Sequence, residues 1–153
     1  MSQQMAVPGV YVLILRLEEE ATLSVGSLGV SIYASGWYGY VGSALGGLIG
    51  RLRHHLSIPK RHHWHIDYLL QLARVTAIVA IPTHRPLECS LAAFLGSRFP
   101  VVPHFGSSDC QCVGHLFYSQ HGVALMRLAL DAPHFLACPR QTASSSLAEE
   151  PDR

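Results

Sequence analysis

The sequence predicts an α+β domain: a small mixed or antiparallel sheet flanked by about three helices. Short β-branched runs broken by Gly and Ser dominate the first forty-odd residues, and from Leu45 the apolar residues switch to helical spacing. Length supports the same reading, because 153 residues, 49% of them hydrophobic, suffice for one domain with its own core. We place that domain at residues 1–140. The closing segment 141–153, with "TASSSLAEEPDR", has the composition of a disordered tail.

The elements follow in order. "GVYVLILRL" after Pro8 is a short apolar, β-branched run and predicts a buried strand. "TLSVG", "GVSIYAS" and "WYGYVG" continue as strands punctuated by Gly and Ser, which together read as an antiparallel meander. Leu45, Leu48, Ile49, Leu52 and Leu56 then share one face of a first helix. Ile66, Leu69, Leu70 and Ala73 repeat that spacing in "HWHIDYLLQLA", a second helix. "VTAIVAI" is a strand, and "PLECSLAAFLGS" is a third helix with Pro86 near its first turn and Gly96 near its end. "VVPHF" and "HLFYS" are later strands.

The formal net charge of +1 conceals an asymmetric field. Arg51, Arg53, Lys60 and Arg61 stand among His54, His55, His62, His63 and His65, whereas acidic residues collect in Glu18 to Glu20 and in the tail. This pattern fits polyanion binding or a solvated, His-rich helix pair. No apolar run approaches the roughly 20 residues that span a bilayer, and the start lacks a signal peptide's pattern, so we expect a cytoplasmic protein without membrane contact. Cys89, Cys110, Cys112 and Cys138 show no disulfide framework and are expected as free thiols.

"YGYVGSALGGLIGRLRHH" has neither the Lys-Ser/Thr ending of a P-loop nor dinucleotide-binding glycine spacing. Its helical part is more informative. Arg51 and His55 are four residues apart and so share one side of the helix. A guanidinium can hold two phosphate oxygens while a neighbouring imidazole transfers a proton, although an ordinary basic helix edge has the same pattern.

"GVY" at Gly9 to Tyr11 and "YVG" at Tyr40 to Gly42, followed by "SA", Arg51 and His55, resemble the GIY-YIG nuclease family. The resemblance covers about residues 9 to 95 and departs from the family pattern in the long segment between the two tyrosine motifs. It implies a GIY-YIG-like fold and a divalent-metal-dependent endonuclease acting on nucleic acid, with DNA as the expected partner. By resemblance the catalytic positions are Tyr11, Tyr40, Arg51 and His55, and Glu88 at the start of the third helix binds Mg²⁺ or Mn²⁺. His65 is a further candidate beside His55, and Asp67 could orient a histidine or supply a metal oxygen. The fold can also persist without its chemistry, as a DNA-binding module.

A third reading comes from "SSDCQCVGH". Cys110, Cys112 and His115, with His104, offer soft ligands for zinc in a zinc-stabilised structural domain. Asp109, after two serines, is a turn or cap residue.

Overall fold

Nothing polar interrupts β1 (Gly9–Leu17) before Arg16 because the strand is buried on both faces. In the computed structural model, which describes residues 6–58 and 61–137, β1 lies inside a five-stranded antiparallel sheet of order β5-β1-β4-β7-β6. The other strands are β4 (Gly36–Ala44), β5 (Arg74–Pro82), β6 (Val101–Val102) and β7 (Leu116–Ser119). The strand period of two divides β1 between two cores: Tyr11, Leu13, Leu15 and Leu17 enter one, and Val10, Val12 and Ile14 the other. The expected tail at 141–153, together with Lys60 and Cys138, lies outside the described residues.

The expected meander is corrected. β1 pairs directly with β4, while β2 (Ala21–Ser24) and β3 (Val30–Tyr33) form a separate two-stranded sheet. The intervening segment is thus a hairpin carried above the main sheet, and its Ala21, Leu23 and Tyr33 pack into the Tyr11 core. Local alternation identifies strands but cannot choose their partners.

Helix α1 (Leu48–Leu56) starts later than the apolar spacing suggests. Leu45, Ile49 and Leu56 are exposed, whereas Leu48 and His55 are buried, so a histidine takes the place expected for leucine on the inward face. α2 (His65–Leu69) is a single short turn of helix that sets Ile66, Asp67 and Leu69 into the interior. α3 (Glu88–Gly96) and α4 (Gly122–Ala137) cover the second core through Leu91, Ala92, Leu95, Leu125, Ala129 and Ala132. The described residues hold four α-helices where about three were expected. The unforeseen one is α4, whose interior Pro133 breaks the pattern by which helices are read from sequence. "VVPHF" gives only the two-residue β6 before the chain turns. No described helix is long and apolar enough to cross a membrane.

Candidate functional site

Tyr11 and Gly42 are directly opposed in the β1–β4 ladder. A Cβ on Gly42 would run into Cζ and the hydroxyl of Tyr11, so the glycine lets the phenol lie across β4. The ring then reaches α1, where the Tyr11 hydroxyl and His55 Nε2 are hydrogen-bonded at 2.7 Å. Tyr40, two residues before Gly42 and on the same face, brings its ring centroid to 6.4 Å from Tyr11 and 6.2 Å from His55. Three of the residues singled out in the sequence therefore form one aromatic cluster.

The cluster is strongly polarised. Burial pushes the Tyr11 phenol up to about 12, although the Arg51 guanidinium opposes the shift, and the Glu88 and Asp67 charges add to it. Burial likewise raises Tyr40 well above the ordinary phenol value, with Tyr11 and Glu88 reinforcing it. Both phenols are held protonated at neutral pH. Arg51 is pinned by donating Nη1–H to the Ser43 carbonyl at 2.9 Å, and its guanidinium carbon lies 4.0 Å from the Trp64 ring centroid. Half-buried and orientated from two sides, Arg51 can present its remaining donors to an anion.

Asp67 backs the histidines from α2 and is fully buried. Its Oδ2 accepts the backbone N–H of His63 at 2.9 Å and of Trp64 at 3.0 Å, and lies 3.1 Å from His54 Nε2. Its Oδ1 lies 3.7 Å from His55 Nδ1, longer than a hydrogen bond. A chain of groups thus runs from Tyr11 through His55 to Asp67. Burial would raise the Asp67 pKa, yet the facing His55 imidazole, the Trp64 and His63 backbone N–H groups and His54 outweigh it and hold the carboxyl well below its usual range. With Oδ2 shared by three donors and no access to solvent, Asp67 is placed to orient the histidines.

Glu88 opens α3 and is half-buried. Its Oε1 lies 2.8 Å from Nδ1 of buried His115, a charged contact short in distance but not aligned as a full hydrogen bond. The other ring nitrogen of His115, Nε2, is 3.5 Å from Cys110 Sγ. Ligand atoms of Cys89, Cys110, Cys112 and His115 all lie within 4.8 Å of one another, a group that could hold a metal ion. The three thiols are free and influence one another's charge. Burial, with the Cys89 and Cys110 thiols, pushes Cys112 up to about 12. Burial also opposes ionisation of Cys110, but hydrogen bonds from Cys112 and the nearby His115 outweigh it and leave that thiol below its usual value.

Two expectations change here. The soft-ligand set contains Cys89, which stands in α3, well before "CQC" along the chain and outside the set expected from that segment. His104 is not in the set; it sits exposed in a turn with φ of 64°. His65 accepts the Gly106 N–H at 2.9 Å through Nδ1 and packs its ring on Phe105, so it supports the loop behind Tyr40 instead of joining the Tyr11–His55 pair. Asp109 is exposed in a turn, as expected.

Comparison with curated proteins and with solved structures finds no match. A family model does match, over residues 10–136, which runs from the second residue of β1 to the last but one of α4 and takes in both the tyrosine cluster and the thiol group. The chain belongs to the family described as domain of unknown function DUF123.

Proposed function

We propose that this chain is a divalent-metal-dependent phosphodiesterase that cuts nucleic acid, with DNA as the substrate class. The carrying observation is convergence: Tyr11, Tyr40 and His55 meet in one cluster, and the charges of Arg51 and Glu88 act on both phenols. That is the set which the likeness to GIY-YIG nucleases implies. The donor chemistry fits a hard cation in the simplest way, since Glu88 is a partly exposed carboxylate, whereas Asp67 is fully buried with its Oδ2 shared by three donors. An Mg²⁺ or Mn²⁺ ion held by Glu88 would supply positive charge at a phosphate oxygen.

The protein's own groups account for the proton. Because the phenol pKa is pushed up to about 12, a free Tyr11 phenolate is a poor resting base at neutral pH. The 2.7 Å bond to His55 Nε2 provides another route, in which Tyr11 takes a proton from the attacking water as it gives its own to His55. The phenol stays neutral throughout, and the resulting imidazolium faces the Asp67 carboxylate. Arg51 balances the charge that grows on the phosphoryl oxygens.

The test is a titration of Mg²⁺ and Mn²⁺ against labelled branched, flapped, single-stranded and duplex DNA. Metal-dependent cleavage that collapses at least about a hundredfold in Glu88→Gln, with DNA binding retained, supports the reading. Binding without cleavage at any metal concentration replaces it with a DNA-binding module of the same fold.

A second reading has its own observation. Three thiols and an imidazole within 4.8 Å form a Cys3His set of the kind that closes a tetrahedron around Zn²⁺, and we propose zinc as its metal. Such an ion would staple the start of α3 to the 110–115 loop. Metal analysis of the purified chain, with and without Cys112→Ser, tests it.

A further inference from the structure

One side chain, Glu88, is linked to both groups described above: it lies 2.8 Å from His115, and its charge acts on the Tyr11 and Tyr40 phenols. We propose that Glu88 couples the two groups: the carboxylate orients His115 toward a Zn²⁺ ion at Cys89, Cys110, Cys112 and His115, and loading of that ion fixes the carboxylate at the tyrosine site. The second half rests on the phosphodiesterase reading; the first half does not.

Three features of the geometry converge on this assignment. His115 is divided between two neighbours, with Nδ1 at 2.8 Å from Glu88 Oε1 and Nε2 at 3.5 Å from Cys110 Sγ. A metal-bound imidazole commonly gives its other ring N–H to a carboxylate, which selects the tautomer and strengthens the ligand. Among the described residues the buried Nδ1 of His115 has that carboxylate as its one polar neighbour, and a metal on Nε2 would require the proton to sit on Nδ1. Next, Glu88 and Cys89 are consecutive in the first turn of α3, so an ion bound by Cys89 also locks the backbone that carries Glu88. Finally, the Val41 N–H donates to the His115 carbonyl at 2.9 Å, tying the histidine to the residue after Tyr40. The Gly106 backbone lies between them: a Cβ there would come within 3.1 Å of the Tyr40 ring and 3.4 Å of the His115 Cβ. The thiol–histidine group is therefore built against β4, the strand that holds Tyr40.

An alternative assignment for the same cysteines would be a small-molecule site, because a cavity of about 630 Å³ touches Cys89 and Cys112. Its other walls are mainly apolar, with Ala92, Ala93, Phe99, Val101 and Phe117; beside the cysteines only Ser97 and Gln111 bring polar side chains, and no charged residue lines it. The Glu88 contact instead favours a metal.

The coupling is tested on the full chain by zinc competition against a chromophoric chelator and by Mn²⁺ binding followed through its electron paramagnetic resonance. Wild type should bind one Zn²⁺ per chain. Glu88→Ala should weaken zinc by roughly tenfold to a hundredfold, with Glu88→Gln recovering part of the loss as a neutral acceptor. Arg51→Ala, which leaves the thiol group untouched, should keep wild-type zinc affinity. In the cobalt-substituted protein, Glu88→Ala should move the visible ligand-field bands, a change that simple loosening of the fold would not produce. Zinc loading should tighten Mn²⁺ binding in wild type but not in Glu88→Gln. Unchanged zinc affinity in Glu88→Ala overturns the orienting role, and Mn²⁺ affinity independent of zinc overturns the coupling. A wild type that cleaves no DNA, with the zinc effects intact, counts against the phosphodiesterase reading and supports the Glu88–His115 link.

Discussion

Replacing Asp67 by Ala should destabilise the fold by about 3 kcal/mol, because it removes a buried charge that several donors share. Its carboxylate takes two backbone N–H groups at 2.9 and 3.0 Å and faces His54 at 3.1 Å and His55 at 3.7 Å. Breaking a buried ionic contact typically costs about 3–5 kcal/mol, and we take the lower end because His63 is exposed, so water can satisfy its freed N–H. With a urea dependence of about 2 kcal/mol per molar, the midpoint should drop by about 1.5 M. The pH dependence has a definite sign. The folded pKa of Asp67 lies well below the ordinary carboxylate value, so the unfolded chain takes up the proton first as pH falls. The difference between wild type and variant should be complete above about pH 5 and should close as pH drops below about 4. Urea unfolding at pH 7, 5, 4 and 3 measures it. A difference under about 1 kcal/mol at pH 7, or one that persists unchanged at pH 3, refutes the role assigned to Asp67.

Three further outcomes are expected. Gly42→Ala should lower thermal stability by about 1–3 kcal/mol and displace the Tyr11 ring from His55, since the added methyl collides with the phenol; wild-type stability in a melting experiment would show that the ladder shifts freely. Arg51→Ala should reduce DNA cleavage far more than Arg53→Ala, because Arg51 is held beside Tyr11 while Arg53 is exposed on another helix face; equal losses in two folded variants would remove that distinction. DNA binding should weaken with added salt and strengthen below about pH 6.5 as histidines of the Arg51–Arg61 segment gain charge, and affinity indifferent to both in fluorescence anisotropy would exclude a phosphate-directed surface.

The α+β class was legible in the sequence because strand and helix periods are local properties. The apolar run of β1, the break at Leu45 and the helix after Pro86 all appear as elements close to their expected places. Tyr11, Tyr40, Arg51 and His55 were legible as a group through the order of their motifs, and the structure brings them together. The pairing of β1 with β4, in contrast, depends on which strands offer complementary faces across a long segment, and no short window contains that information. The same limit hid Cys89 from "CQC", since soft ligands assemble by proximity in space and α3 and the 110–115 loop meet only after folding. The face of α1 was misjudged for a related reason. Its inward position is won by His55, an imidazole that pairs with Tyr11 and Asp67 once all three are buried, and hydrophobic spacing carries no term for a polar side chain whose partners arrive from other strands and helices.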